Sequence, residues 1–336
     1  MSEKVIGGEF TILTSTIRGQ IRNDLPSRYS LGRTCLYAIL DSVRDDIDEV
    51  ILPDYLCYSV SEVPMRLKVP FSHYHIGPDL LPDQDSLCDA ISGKRCAVVL
   101  ISYFGVIDLT ETVAFLRNTN PDAIVIIDDV QDLYSFGKEP DYDYCFSSYR
   151  KWLSVPDGAE VLVRDGRKAT GSFPEEPKYV SYKTSGNLLK NFPGMMDESV
   201  FLHLLEKGEK MMDEEYLYKA SSTGISLLSK IDLEEVKDRR KKNGKVLSEG
   251  LSKMGIPHIY NEEKTPLFVP IFVSDRKKLR SHLFSKNIFA PIHWPVEDLK
   301  AQGENELYTT ELSLIVDQRY DESDMERILR EIKDGI

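Results

Sequence analysis

The segment Phe146-Ser147-Ser148-Tyr149-Arg150-Lys151-Trp152-Leu153-Ser154-Val155-Pro156-Asp157-Gly158 sets a lysine three residues after a serine, just past a strand-like run. There the amine of Lys151 can reach an aldehyde while the Ser148 hydroxyl meets a phosphate on the same ligand. Desolvation lowers a lysine pKa and makes the amine nucleophilic near neutral pH. Upstream, Ile126-Ile127-Asp128-Asp129-Val130-Gln131 ends an apolar run in two acids. A carboxylate at such a strand end can keep a ring nitrogen protonated, and Gln131 lies on the same exit loop. Further upstream, Ser30-Leu31-Gly32-Arg33-Thr34 opens a helix. Glycine there lets backbone approach a ligand, and the helix start offers free N–H groups to an anion. Alone, each motif reads as an ordinary feature: a loop lysine, two solvated acids, a helix cap. Their order along one chain is the informative part.

Alternating strands and helices must bring these motifs together. Helical spacing covers residues 32–43, 54–63, 83–92 and 109–117, with strand-like runs at 49–53, 67–76, 96–101 and 123–127 between them. The runs at 96–101 and 123–127 are continuously apolar, as strands buried on both faces are. Residues 144–148 and 161–163 read as further strands. This alternation predicts an α/β fold with a mainly parallel sheet and right-handed connections. Ligands in such sheets bind beyond the carboxyl ends of the strands, where Asp128 stands. Residues 195–228 and 233–254 read as long, charged helices, and Arg239-Arg240-Lys241-Lys242 as a solvated face. A strand at 267–273, a helix at 276–285, a strand at 312–316 and a helix at 322–332 form a C-terminal α+β piece. At 336 residues two domains are expected: 1–238, large and α/β with an N-terminal arm, and 239–336, small and α+β.

The formal charge of −13, from 42 basic and 55 acidic residues, disfavours nucleic acid as a partner. A small phosphorylated ligand needs only a local positive site. The start, Met1-Ser2-Glu3-Lys4-Val5, lacks the charged and apolar regions of a secretion signal. No window reaches the roughly 18 to 20 apolar residues of a membrane span. The five cysteines (Cys35, Cys57, Cys88, Cys96, Cys145) are scattered without Cys-x-x-Cys, which fits reduced thiols in a cytoplasm.

The ordered motifs resemble the DegT/DnrJ/EryC1/StrS branch of the fold-type I, pyridoxal-phosphate-dependent aminotransferases. Gly32-Arg33-Thr34-Cys35-Leu36 is similar to the family's Gly-x-x-Ala-Leu segment, and Leu52-Pro53-Asp54-Tyr55-Leu56-Cys57 to its Pro-x-Tyr-Thr stretch. Ser102-Tyr103-Phe104-Gly105 stands where the family has His-x-Tyr-Gly, and Asp128-Asp129-Val130-Gln131 resembles its Asp-Ala-Ala-Gln. Ser148-x-x-Lys151 with Pro156-Asp157-Gly158 resembles its phosphate serine, Schiff-base lysine and Gly-Gly turn, with Ala159 replacing the second glycine. His293-Trp294-Pro295 and Val316-Asp317-Gln318-Arg319-Tyr320 resemble C-terminal segments of one subgroup. The family's Gly-x-Asn-x-Arg-Met segment has no counterpart around Gly186-Asn187.

The resemblance implies a fold-type I sheet of the seven-stranded type, a homodimer, and pyridoxal 5'-phosphate held by Lys151. It makes Asp128 the partner of the ring nitrogen and puts the phosphate at Gly32, Arg33, Thr34 and Ser148. Gln131 would sit beside the ring hydroxyl or near Asp128, and Cys57 or Tyr58, with Tyr58 preferred, would stack on the ring. The implied reaction aminates a nucleotide-linked keto sugar from an amino acid donor, for polysaccharide or secondary-metabolite synthesis. Relatives that act as sugar dehydratases carry histidine in place of the lysine. A catalytically silent ligand-binding relative with a regulatory or scaffold role is the main alternative. A nicotinamide enzyme lacks the Gly-x-Gly-x-x-Gly turn. A metal hydrolase would need His73, His75 and His293 together, and no metal is expected.

Overall fold

The apolar runs form the middle of one sheet in the computed structural model, which describes residues 4–11, 17, 28–138, 141–164, 166–192, 194 and 197–336. The first half runs β1 (Ile6–Gly7), α1 (Gly32–Val43), β2 (Glu49–Pro53), α2 (Tyr58–Leu67), β3 (Phe71–Tyr74), α3 (Gln84–Ile91), β4 (Cys96–Ile101), α4 (Thr110–Thr119), β5 (Ile124–Asp128), β6 (Tyr144–Ser148) and β7 (Ala159–Val163). The sheet order is β3-β2-β4-β5-β6-β7, parallel from β3 to β6, with β7 antiparallel to β6. Every residue of β4 and β5 is buried, which accounts for their apolar composition up to Asp128 at the end of β5. Among the described residues this sheet has six strands. A seventh place beside β7 is held only by an isolated antiparallel bridge from Tyr29 to Ala159. Ala159 is buried in this extended pairing, a conformation open to any residue, so no second glycine is needed after Gly158.

The second half runs α5 (Tyr179–Leu189), α6 (Glu198–Glu214), α7 (Ser222–Leu228), α8 (Leu233–Met254), β8 (Phe268–Phe272), α9 (Arg276–Ser285), β9 (Ile288–Phe289), α10 (Leu299–Gln302), α11 (Leu307–Thr310), β10 (Glu311–Ile315) and α12 (Glu322–Gly335). β8 and β10 pair antiparallel, and their inner faces share an apolar core with Leu247 and Leu251 of α8, Leu279 and Leu283 of α9, and Met325 and Ile328 of α12. The boundary expected after residue 238 falls inside α8. Most of the expected N-terminal arm lies outside the described residues.

Three sequence expectations need correction. The single helix at 195–228 is two helices: the Asp197 carboxylate caps α6 by accepting from the Ser199 N–H, the chain turns extended at Glu215, and α7 starts afresh. Met195 itself lies outside the described residues. The strand at 67–76 is shorter because α2 runs through Leu67 and closes on Lys68 at φ 58°, leaving β3 to begin at Phe71. The basic run in α8 is not wholly solvated. Arg240 is buried, its guanidinium stacking over Trp152 at 4.8 Å and donating to Gln318 Oε1 and the Leu267 and Trp152 carbonyls. Such charge-assisted hydrogen bonds offset the cost of burying the guanidinium. No helix among the described residues is long and apolar enough to cross a membrane.

Candidate functional site

A cavity of about 370 Å³ opens where β4, β5 and β6 end, a volume suited to a small-molecule ligand. Each strand delivers a wall residue at its carboxyl end: Ile101 from β4, Asp128 from β5, and Phe146 and Ser148 from β6. A 3₁₀ turn at Tyr149–Lys151 then carries Arg150 and Lys151 into the same space, while α1 begins on its rim. The far wall comes from Leu267, Phe268, His293 and Trp294.

Lys151 is open to the cavity, and its amine makes no hydrogen bond or ion pair among the described residues. The positive charge of Arg150 beside it, helped by burial, lowers its pKa. Neutral amine is therefore more accessible than for a surface lysine, and that form attacks carbonyls. Arg150 is held by Glu209 of α6 at 3.2 Å, and Glu209 also accepts from the buried Lys183 at 2.5 Å. Burial pushes the Glu209 carboxyl up, but Arg150, Lys183 and Lys151 outweigh it and hold it at about 2.

Asp128 and Asp129 separate by strand alternation. Asp128 faces the cavity, 5% exposed, with the Val130 N–H on Oδ1 as the only hydrogen bond to its carboxylate among the described residues. Burial raises its pKa to about 7, against the lowering effects of Val130 and Lys151. Asp129 is turned inward and spent on structure, accepting from Ser102 Oγ at 2.6 Å, Cys145 Sγ at 3.0 Å and Gly137 N at 3.3 Å. A buried carboxylate with a free oxygen toward a cavity is well matched to a cationic ring nitrogen.

At the start of α1, Leu31 provides no side-chain cap, so the Gly32 and Arg33 N–H groups remain for an anion. A Cβ on Gly32 would lie 2.8 Å from Val130 Cγ2 and 3.7 Å from Ser148 Cβ, so the cradle exists only without a side chain. Gly32→Ala is therefore expected to weaken binding of a phosphorylated ligand by at least about tenfold. Titration of the variant by fluorescence with pyridoxal phosphate measures this, and unchanged affinity would contradict it. The Arg33 guanidinium points elsewhere, to Glu62 at 3.1 Å, Asp213 at 2.7 Å and the Met212 carbonyl at 2.9 Å. Arg33 thus offers its backbone to the cavity, and Arg150 is the side-chain cation at that end.

Of the residues singled out from sequence, Gly32, Arg33, Asp128, Gln131, Ser148 and Lys151 line one cavity. Gln131 Oε1 accepts from the Phe104 N–H at 3.0 Å, which leaves its amide nitrogen toward the ligand side. Thr34 does not line it: the side chain is fully buried and donates to the Tyr216 carbonyl at 2.6 Å. Nor does Tyr58, the first residue of α2, whereas Cys57 and Ser59 on either side do. His73 and His75 are also absent from this wall, His73 bonding to the Ala301 carbonyl and His75 to Asp54. Arg150, Glu209, Asp213, Phe268 and Trp294 were not singled out from sequence, although Arg150 and Trp294 stand inside the quoted motifs.

Two features fit pyridoxal phosphate: the free oxygen of buried Asp128 and the side-chain-free cradle at Gly32. No protein-family model matches the sequence, and no curated protein matches it. Solved structures do match in shape. The pyridoxal-phosphate form of Spr1654 from Streptococcus pneumoniae, assigned as a sugar aminotransferase, superposes at TM-score 0.69 and 12% identity, over 99% of this chain and 98% of that one. The sugar aminotransferase CalS13 from Micromonospora echinospora gives 0.65 at 14% identity, over 92% and 87% of the two chains. DesI, solved with its TDP-sugar product, gives 0.61 at 14% identity, over 90% and 79%. The chain has the fold of these solved structures, a mostly parallel sheet flanked by helices with a smaller α+β piece after it.

Proposed function

We propose that the chain is a pyridoxal-phosphate-dependent aminotransferase that aminates a nucleotide-linked keto sugar from an amino acid donor. The observation that carries this reading is the convergence of Lys151, Asp128, Ser148 and the start of α1 on one cavity. The sugar substrate is supported by the names of the matching structures, two assigned as sugar aminotransferases and one solved with a TDP-sugar. The division into a cofactor-binding unit at 1–238 and a smaller one at 239–336, the homodimer and the cytoplasmic setting belong to the same reading.

Bound there, pyridoxal phosphate supplies an electron sink for charge developing on the substrate carbon. Lys151 Nζ would hold the cofactor and is the amine placed to take a proton from the substrate carbon and return it. Asp128 keeps a proton on the ring nitrogen, and its burial makes the pairing strong because water does not compete. The Gly32 and Arg33 N–H groups, Ser148 Oγ and Arg150 hold the phosphate, while Gln131 donates from its amide. Phe268 and Trp294 exclude water from the same space.

Incubating the protein with pyridoxal phosphate and an amino acid tests the proposal. Conversion of the bound cofactor to its amine form, read by absorbance, is the expected result. Cofactor binding without any conversion across the common amino acids would instead identify a silent binding protein.

A further inference from the structure

His293 stands in the cavity wall with its ring between Phe104, Phe268 and Trp294. Its Nδ1 lies 2.8 Å from Ser313 Oγ, and Ser313 Oγ lies 2.5 Å from Glu311 Oε1. Glu311 and Ser313 alternate on one face of β10 and are completely buried. Glu311 Oε2 accepts the His293 backbone N–H at 3.0 Å, so carboxylate and imidazole are tied at two points. Nε2 has no hydrogen-bond partner among the described residues. A chain of three side chains therefore links a fully buried carboxyl to one ring nitrogen facing the cavity.

Hydrogen-bond direction in this chain is all or none, because Ser313 has one proton to give. With Glu311 protonated, the carboxyl donates to Ser313, Ser313 donates to Nδ1, and Nε2 carries N–H. With Glu311 ionised, Ser313 donates to the carboxylate, Nδ1–H donates to Ser313, and Nε2 presents a lone pair. The two states differ by one proton. If Nε2 gives its proton to a ligand, the Glu311 proton passes to Ser313 and the Ser313 proton to Nδ1.

We propose that Glu311, acting through Ser313, sets the tautomer of His293 and so decides whether the ring offers a donor or an acceptor to a ligand hydroxyl or amine. This rests on reading the cavity as the substrate site, and it makes His293 a substrate-binding residue with Glu311 and Ser313 as positioning residues. A hydroxyl-rich sugar carrying a carbonyl that becomes an amine suits a nitrogen able to take either role. The pKa values agree with the geometry. Burial, with Lys151 adding to it, drops His293 to about 3, so the ring stays neutral and responds by tautomer rather than charge. Burial raises Glu311 to about 8 against Ser313, the His293 N–H and the charge of Arg276 on α9. Arg276, whose guanidinium donates to the Glu311 carbonyl at 2.9 Å, and Tyr55, after β2, are the other ionisable groups that face the carboxyl. Below that pH the carboxyl is protonated and Nε2 donates; above it Nε2 accepts.

Nitrogen NMR of the 336-residue chain labelled at its six histidines, without added cofactor, tests this, with His293→Gln assigning the signal. Over about pH 6 to about pH 10 the His293 Nε2 signal should move from the protonated to the unprotonated ring-nitrogen position, midway near pH 8, while the ring stays neutral. Ser313→Ala and Glu311→Gln should each abolish the movement; either suffices if the other does not fold. A fixed tautomer in the native chain, or a transition unchanged in either folded variant, overturns the proposal. Cofactor binding plays no part in this measurement, so its failure is separate from failure of the aminotransferase reading.

Discussion

Lys151→Ala is expected to end covalent capture of pyridoxal phosphate and to lower turnover by at least about 10²–10⁴-fold, the range for a positioned acid–base group. The fold should survive, because the Lys151 amine has no hydrogen bond or ion pair among the described residues to lose. Removing one positive charge next to Arg150 also relieves a like-charge repulsion inside the protein. The thermal midpoint of the variant should therefore equal or exceed that of the native chain. Borohydride treatment, mass spectrometry and a thermal melt measure these together. A variant that still gains the reduced cofactor mass contradicts the assignment of the amine.

Asp128→Asn is the second large effect. The amide keeps the shape and can still accept from the Val130 N–H, so cofactor should still bind. What disappears is the negative charge toward the ring nitrogen, and turnover should fall by roughly 10²–10³-fold, as for loss of one preorganised electrostatic partner in a dry site. The sign of the pH effect follows from burial. In the cofactor-free protein the Asp128 pKa is raised to about 7, so the carboxyl takes a proton as pH falls through that value. Because the unfolded carboxyl ionises near about 4, this group's contribution to stability is full below that and is lost as pH rises through about 7. Asp128→Asn should remove that share of the pH dependence, seen in melts across the same range. Near-normal turnover would remove Asp128 from the mechanism. Asp129 is no substitute, since Ser102, Cys145 and Gly137 already occupy its oxygens.

Where burial is total, the sequence was easy to read. Cys96–Ile101 is apolar at every position because both faces of β4 are covered, and α1 and α8 carry the helical spacing of a packed face. The cofactor-side residues were legible for a related reason: Gly32, Asp128, Ser148 and Lys151 are each set by a local junction of strand or helix with loop. Contacts made across the fold left no such mark. Arg150 meets Glu209 across 59 residues, and the sequence around Glu209 reads as any charged helix. Arg240 looked solvated among its basic neighbours, yet the α8 face it shares with Asn243 and Leu247 is the one that packs inward. Tyr58 was preferred over Cys57 on side-chain chemistry, whereas the helix start turns Cys57 and Ser59 to the cavity. Glu311 and Ser313 stand on a short buried strand whose alternation is visible, but what that face looks at depends on the His293 segment.

Pyridoxal phosphate attached to Lys151 is the central claim, and peptide mapping after borohydride reduction tests it most directly. Two lysines, buried Lys183 paired with Glu209 and part-buried Lys264 paired with Asp132, serve as internal controls because their amines are already engaged. The account predicts the reduced cofactor mass on the peptide that contains Lys151 and on no other. The same mass on the Lys183 or Lys264 peptide, with Lys151 unmodified, would contradict it.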